Sequence, residues 1–273
     1  MRRVLGRFPR LFAAYQAYRT AKRMGRPATL TPLGFWLSGN AGMQAGTFEP
    51  DETALVRKLL QDVDVLVNVG ANIGYYCCLA LGMKKEVIAF EPMPENVQLF
   101  LRNMKRNGWQ DQFELFPMAL GSHPGCVEIY GQGTGASLLK GWAGQSPSDV
   151  CFVALSSLDL VLGERLANRR CLVLVDVEGA ELEMLRGATT LLNSSPKPLW
   201  MIEISVSEHQ PAGVPINPNL VATFELFNNH GYRAYTADAA RRPVVMEEVR
   251  EIAATRHDTL GVHNFIFGDT TPS

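Results

Sequence analysis

The stretch "VLVNVGANIGYYCC", Val65 to Cys78, decides how the chain is read. Val65 to Val69 is a short, apolar, valine-rich run, as in a strand buried on both faces. Gly70 to Gly74 reads as a tight turn, and the apolar run from Tyr75 opens a helix. The same alternation continues outward. Strands are expected at 64–70, 86–92, 112–120, 126–131, 149–155, 171–179, 198–206, 232–238 and 263–269. Helices are expected at 51–62, 71–83, 94–108, 156–166, 180–193 and 217–231, with Gly108 placed as a C-cap. Strands that alternate with helices of this length imply a parallel, doubly wound α/β sheet. In such a sheet a ligand lies across the carboxyl ends of the strands.

The composition, 47% hydrophobic and 19% charged over 273 residues, is that of a folded globular chain. Its net charge of −1 is unevenly spread. Eight Lys/Arg and no acid precede Glu49, which leaves 18 basic against 27 acidic residues beyond. An acidic body does not suit a duplex, so no nucleic-acid partner is expected. The five cysteines form no C-x-x-C pair and read as reduced, which gives a cytoplasmic address. No apolar run reaches the ~18 residues of a spanning helix. Arg10, Arg19 and Lys22 interrupt any signal-peptide core. Phe8, Leu11, Phe12, Tyr15 and Tyr18 share one helical stripe in a basic arm. The favoured reading is a helix docked on its own domain. The other is a peripheral membrane contact through residues 1–27.

The turn itself excludes one ligand class. A dinucleotide fingerprint needs G-x-G-x-x-G, and from Gly70 the second and third positions are Asn72 and Tyr75. A side chain at the second position blocks close approach of a pyrophosphate. Gly74 is the remaining glycine of the turn. Glu91, followed by Pro92, closes the next strand about 20 residues on, where an acid accepts the hydroxyls of a ribose. A glycine turn and a ribose acid without a pyrophosphate cradle fit S-adenosylmethionine. The alternative is that Gly70 and Gly74 only allow tight helix–strand packing.

"VNVGANIGYY", "AFEPMPENVQLF", "VDVEGAELEMLRGA" and "MIEIS", with the lead-in "GMQAGTFEPDET", stand in one order over residues ~43–268. Together they resemble the FkbM family of S-adenosylmethionine-dependent methyltransferases. The resemblance implies a class I methyltransferase fold, Rossmann-like and doubly wound: a seven-stranded, mostly parallel sheet whose last strand, "HNFIFGD", is antiparallel. The regular alternation starts at residue 51, which divides the chain into a basic N-terminal helix and entry or lid segment, 1–50, and a methyltransferase domain, 51–273. The resemblance implies O-methylation of a hydroxyl on a sugar, glycolipid or natural-product acceptor. It also implies an acid near the methionine end of the cofactor where this chain has Asn68.

Methyl transfer needs an acceptor oxygen held in line and relieved of its proton. "DVEGAE" offers Asp176 at a strand end and Glu178 in the turn. Glu203, in "WMIEIS", ends another strand. These three are the candidate catalytic carboxylates. Glu181 opens a helix, and capping is its favoured role. His209 lies in the loop after Glu203 and reads first as a solvated loop residue. No spacing demands a metal. "GQGTGASLLK" (131–140) lacks the Gly-Lys-Ser/Thr of a phosphate loop and reads as a lid, with Ser137 as a contact. Trp36, Trp142 and Trp200 are candidates for stacking on a sugar. The competing reading is a weakly catalytic, cofactor-binding module docked by its basic arm on a membrane or larger assembly. The oligomeric state is not legible.

Overall fold

The computed structural model describes Tyr18, residues 20–146 and residues 148–269. Phe8, Leu11, Phe12 and Tyr15 of the basic stripe lie outside the described residues, and Tyr18 is exposed. The hairpin β1 (Thr29–Leu30) and β2 (Trp36–Leu37) leads into α1 (Ala41–Ala45) and α2 (Pro50–Leu59). Then come β3 (Val65–Val69), α3 (Tyr75–Gly82), β4 (Glu86–Phe90), α4 (Pro94–Arg106) and β5 (Phe113–Phe116). β6 (Ala119–Leu120), β7 (Gly125–Tyr130) and β8 (Val150–Ser156) precede α5 (Leu158–Leu162) and β9 (Cys171–Val175). α6 (Glu181–Arg186), α7 (Thr189–Leu192), β10 (Leu199–Glu203) and α8 (Leu220–Asn229) follow. The chain closes with β11 (Arg233–Thr236), β12 (Pro243–Val244), α9 (Met246–Thr255) and β13 (Asn264–Gly268).

The main sheet runs β12-β11-β13-β10-β9-β3-β4-β5. Strands β5, β4, β3, β9 and β10 are mutually parallel, and β13 inserts antiparallel between β10 and β11. The fold class expected from the sequence is therefore present, with β12 added at one edge as an eighth strand. Two expected strands lie elsewhere. β7 and β8 join β6 in a separate three-stranded sheet. The run 112–120 breaks at Pro117, which has no N–H to continue a ladder.

The helices of this sheet divide between its two faces. Val65, Val67 and Val69 of β3, with Trp200 and Ile202 of β10, meet α6 and α8 on one side. Leu66 and Leu174 meet α2, α3 and α4 on the other. Each such side chain contributes roughly 1.5–3 kcal/mol by leaving water. Cys77 and Cys78 are fully buried in that second layer, and burial pushes the Cys77 thiol up to about 12. The single helix expected over 180–193 is two helices. Asp159 caps the second from afar, its carboxylate accepting from the N–H groups of Thr189 and Thr190 and the Thr189 hydroxyl. α9 is an addition, seating Val249 and Ile252 in the core.

Candidate active site

Four neighbouring strands end on one edge: β4 before Glu91, β3 before Gly70, β9 before Asp176, and β10 at Glu203. A cleft of about 590 Å³, its open mouth included, lies across this edge. Gly70, Asn72, Glu91, Pro92, Asp176 and Glu178 all line it. An apolar wall of Met118, Ala119, Leu120 and Ile129, carried by the small sheet, faces them.

Gly70 is needed here for a backbone reason. Its φ is +83°, and a Cβ would fall 1.8 Å from the carbonyl oxygen of Asp176. The glycine thus lets the ends of β3 and β9 close together, which brings Asp176 beside the turn. The space that a Cβ would take at Gly74 is filled by Met104 and Phe100, so this glycine seats α4 and does not line the cleft. Asn68 also stays outside the cleft. It is buried on the α3 face, where its Nδ2 donates to Cys77 Sγ at 3.4 Å.

Glu91 is 4% exposed, yet its carboxylate is well supplied with donors. Oε2 accepts from the Asn72 N–H at 2.8 Å, and Oε1 from the Met93 N–H and Asn96 Nδ2, each at 2.9 Å. Burial pushes its carboxyl up, and these hydrogen bonds oppose the shift. The Asn72 N–H is thereby committed. A phosphate at this turn would lose the amide it needs and meet a carboxylate. Arg23, from the helical residues ahead of Gly25, reaches the Asn72 Oδ1 at 3.0 Å.

The other end of the edge is crowded with acids. Asp176 reaches solvent, but it stands on the cleft floor with protein on most sides. That loss of hydration, then the charges of Glu203 and Glu178, hold its carboxyl well above the ordinary value. Glu203 is pushed up to about 8, again by burial first and then by Glu178 and Glu52. Glu49 and Glu52, at the start of α2, complete the group, and sequence reasoning gave them no role. The Tyr76 hydroxyl donates to Glu52 Oε1 at 3.1 Å, and Asn264 Nδ2 to Glu52 Oε2 at 2.8 Å. Asn264 lies opposite Glu203 in the β10–β13 ladder, which explains how α2 meets this strand end. Burial and the Glu49 charge bring Glu52 to about 7. Only the lead-in "TFEPDET" carried them as a signal, and the distance from β10 in sequence hid their meaning.

Glu178 is held differently. Its φ is +54°, and Trp142 Nε1 donates to its Oε2 at 2.6 Å. Burial raises its carboxyl, and the Trp142 hydrogen bond and then His209 oppose this. The Ser137 hydroxyl donates to the Glu178 carbonyl oxygen at 2.5 Å. Gly179, at φ +96°, leaves room for Leu139 and Trp142, which a Cβ would approach to 2.7 Å. The 131–145 segment is thus pinned over the cleft by its own side chains. Trp142 is buried as an anchor, Trp200 lies in the core, and Trp36 carries Arg106 over its ring. His209 stacks obliquely near Trp142, and its carbonyl accepts from the Ala143 N–H. The Glu181 carboxylate accepts from the Gly179 N–H at 2.7 Å, ahead of the N-cap Ala180, so it braces the turn where a helix cap was expected. Among the described residues, no three His, Cys, Asp or Glu side chains are placed to hold a metal ion. Among the same residues no helix is long and apolar enough to cross a membrane.

Residues 68–234 match the methyltransferase FkbM domain, and this span holds both ends of the cleft. The chain belongs to the FkbM methyltransferase family. A relative of this FkbM chain is the hexuronic acid methyltransferase AglP of Haloferax volcanii, 29% identical over 146 residues. The alignment takes in 52% of this chain and 59% of AglP, so the chain spans little more than half of that relative. The solved FkbM methyltransferase of Methylobacillus flagellatus KT is 17% identical, with 76% of this chain and 44% of that one covered at a TM-score of 0.43. An O-methyltransferase of Bacillus cereus in complex with SAH is 14% identical, with 83% and 84% covered at a TM-score of 0.45.

Proposed function

We propose that the protein is an S-adenosylmethionine-dependent O-methyltransferase acting on a hydroxyl of a sugar, glycolipid or natural-product acceptor. The observation that carries this reading is the division of one strand edge into a donor-rich acid, Glu91, and a donor-free acid, Asp176. Glu91 and the apolar wall suit the nucleoside: a ribose against the carboxylate, a base against Met118, Leu120 and Ile129. The acids beyond suit the cationic end of the cofactor. When bound, S-adenosylmethionine supplies a methyl group on positively charged sulfur.

Asp176 is our choice for the proton acceptor. It lines the cleft, reaches solvent, and has no hydrogen-bond donor on its carboxylate among the described residues. Its raised affinity for a proton makes it a stronger base near neutral pH than an ordinary aspartate. Glu203 shares its charge field and orients the acceptor hydroxyl. Glu178, already bonded to Trp142, acts as a fixed wall. The crowd of acids favours a neutral acceptor over an anionic one, because a second negative group there would be repelled. AglP, a hexuronic acid methyltransferase, supports the sugar class alone, since a hexuronic acid carries the negative group that these acids disfavour.

The test is transfer of label from S-adenosylmethionine to a panel of neutral sugars, hexuronates, glycolipid extracts and polyols. Label in a base-stable ether product is expected. Cofactor binding without transfer to any fraction would favour a docking module. Absence of cofactor binding would sink both readings.

A further inference from the structure

On the reading that this cleft holds S-adenosylmethionine, we infer that Asn96 is a second ribose reader, which shares the sugar's vicinal diol with Glu91. Asn96 lines the cleft from the first turn of α4 and is 2% exposed. Its Nδ2 donates to Glu91 Oε1 at 2.9 Å and to the Gly133 carbonyl oxygen at 3.3 Å. Its Oδ1 is buried and has no partner. Turning the amide over does not solve this. Oδ1 would then face two acceptors, so the two partners of Nδ2 fix the orientation. A buried acceptor with no donor costs about 1–3 kcal/mol, and such atoms in a ligand cleft mark where a ligand donor belongs.

Counting lone pairs identifies the donor. A carboxylate offers about four acceptor sites. Glu91 Oε1 serves Met93 N–H and Asn96 Nδ2, and Oε2 serves Asn72 N–H. One site is left on Glu91, whereas a vicinal diol brings two hydroxyl donors. Asn96 Oδ1, on the amide bonded to Glu91, supplies the acceptor that is missing. Asn96 therefore both holds the Glu91 carboxylate and reads the hydroxyl that Glu91 cannot. The sequence showed only "EPMPEN", and its Asn drew no attention because the fifth residue after a strand-end acid has no fixed direction until the helix is placed.

Calorimetric binding of S-adenosylhomocysteine and its 2′-deoxy and 3′-deoxy analogues tests this without turnover. Wild-type protein is expected to lose about three- to tenfold in affinity for each deoxy analogue. In Asn96→Leu the parent ligand should weaken at least as much, and one of the two deoxy analogues should then bind as well as the parent. Asn96→Ser, with its melting temperature checked, repeats the measurement with a smaller change of shape. Equal weakening of all three ligands would mean that Asn96 only props Glu91, and would overturn the inference. So would wild-type affinities for both deoxy analogues within twofold of the parent. So would coupling of Asn96 to an N6-dimethyl analogue in place of a deoxy one. Failure of wild-type protein to bind S-adenosylhomocysteine at all would instead overturn the cofactor reading beneath it.

Discussion

Glu91 and Asp176 end strands that flank the same central strand, β3, and the fold treats them in opposite ways. Glu91 is nearly sealed but receives three donors, two from backbone and one from Asn96. Asp176 is wetter, receives none, and feels the charges of Glu203, Glu178, Glu49 and Glu52. Donors stabilise a charge, and neighbouring acids oppose it. Burial raises both carboxyls; donors oppose the rise at Glu91, and neighbouring acids add to it at Asp176. On the proposed function, this contrast in surroundings is what assigns binding to Glu91 and proton transfer to Asp176.

The largest effect expected is at the donor-free end. Asp176→Asn should lower kcat by about 10²–10⁴-fold while S-adenosylhomocysteine affinity stays within about threefold. A fall of less than tenfold would move the base elsewhere, with Glu203 next. Between the two ends, Gly70→Ala should cost about 3 kcal/mol or more in denaturant unfolding. Its Cβ meets the Asp176 carbonyl, and the positive φ adds strain. An unchanged midpoint would show that the two strand ends are not clamped as described.

At the donor-rich end, Glu91→Gln puts an amide NH₂ where N–H donors converge. We expect roughly 100-fold weaker S-adenosylhomocysteine binding by calorimetry, as loss of charge-assisted hydrogen bonds implies. Binding within threefold of wild type would erase the distinction between the two ends. The smallest effect is one of pH. Glu203 titrates near 8 in the fold against 4.5 ordinarily, so the folded state keeps a proton that the unfolded chain releases. The destabilisation therefore grows as pH rises from about 4.5 to 8. Glu203→Gln removes it. The variant should match wild type in thermal melts near pH 4 and exceed it by about 1–2 kcal/mol near pH 8.5. A constant offset across that range would contradict the shift.

Much of this was legible in the chain. The apolar runs and their spacing gave the parallel sheet, because a strand buried on both faces must be almost wholly apolar, as β9 is and as β3 is apart from Asn68. The strand-end position of Glu91, Asp176 and Glu203 follows from those runs, since each is the first acid after an apolar run. Asn72 ruled out a pyrophosphate by its side chain alone.

Only the tertiary structure decided what each of these residues meets. Gly70 answers to the Asp176 carbonyl, about a hundred residues away. Asn68 turns towards Cys77 because residues along a strand alternate faces, and position 68 falls on the α3 side. Glu49 and Glu52 join the acids through Asn264, and the orphan oxygen of Asn96 exists only once Glu91 and Gly133 claim its amine. Sequence sets periodicity and local chemistry, which act over a few residues. Hydrogen-bond satisfaction and charge crowding depend on groups that only folding brings together.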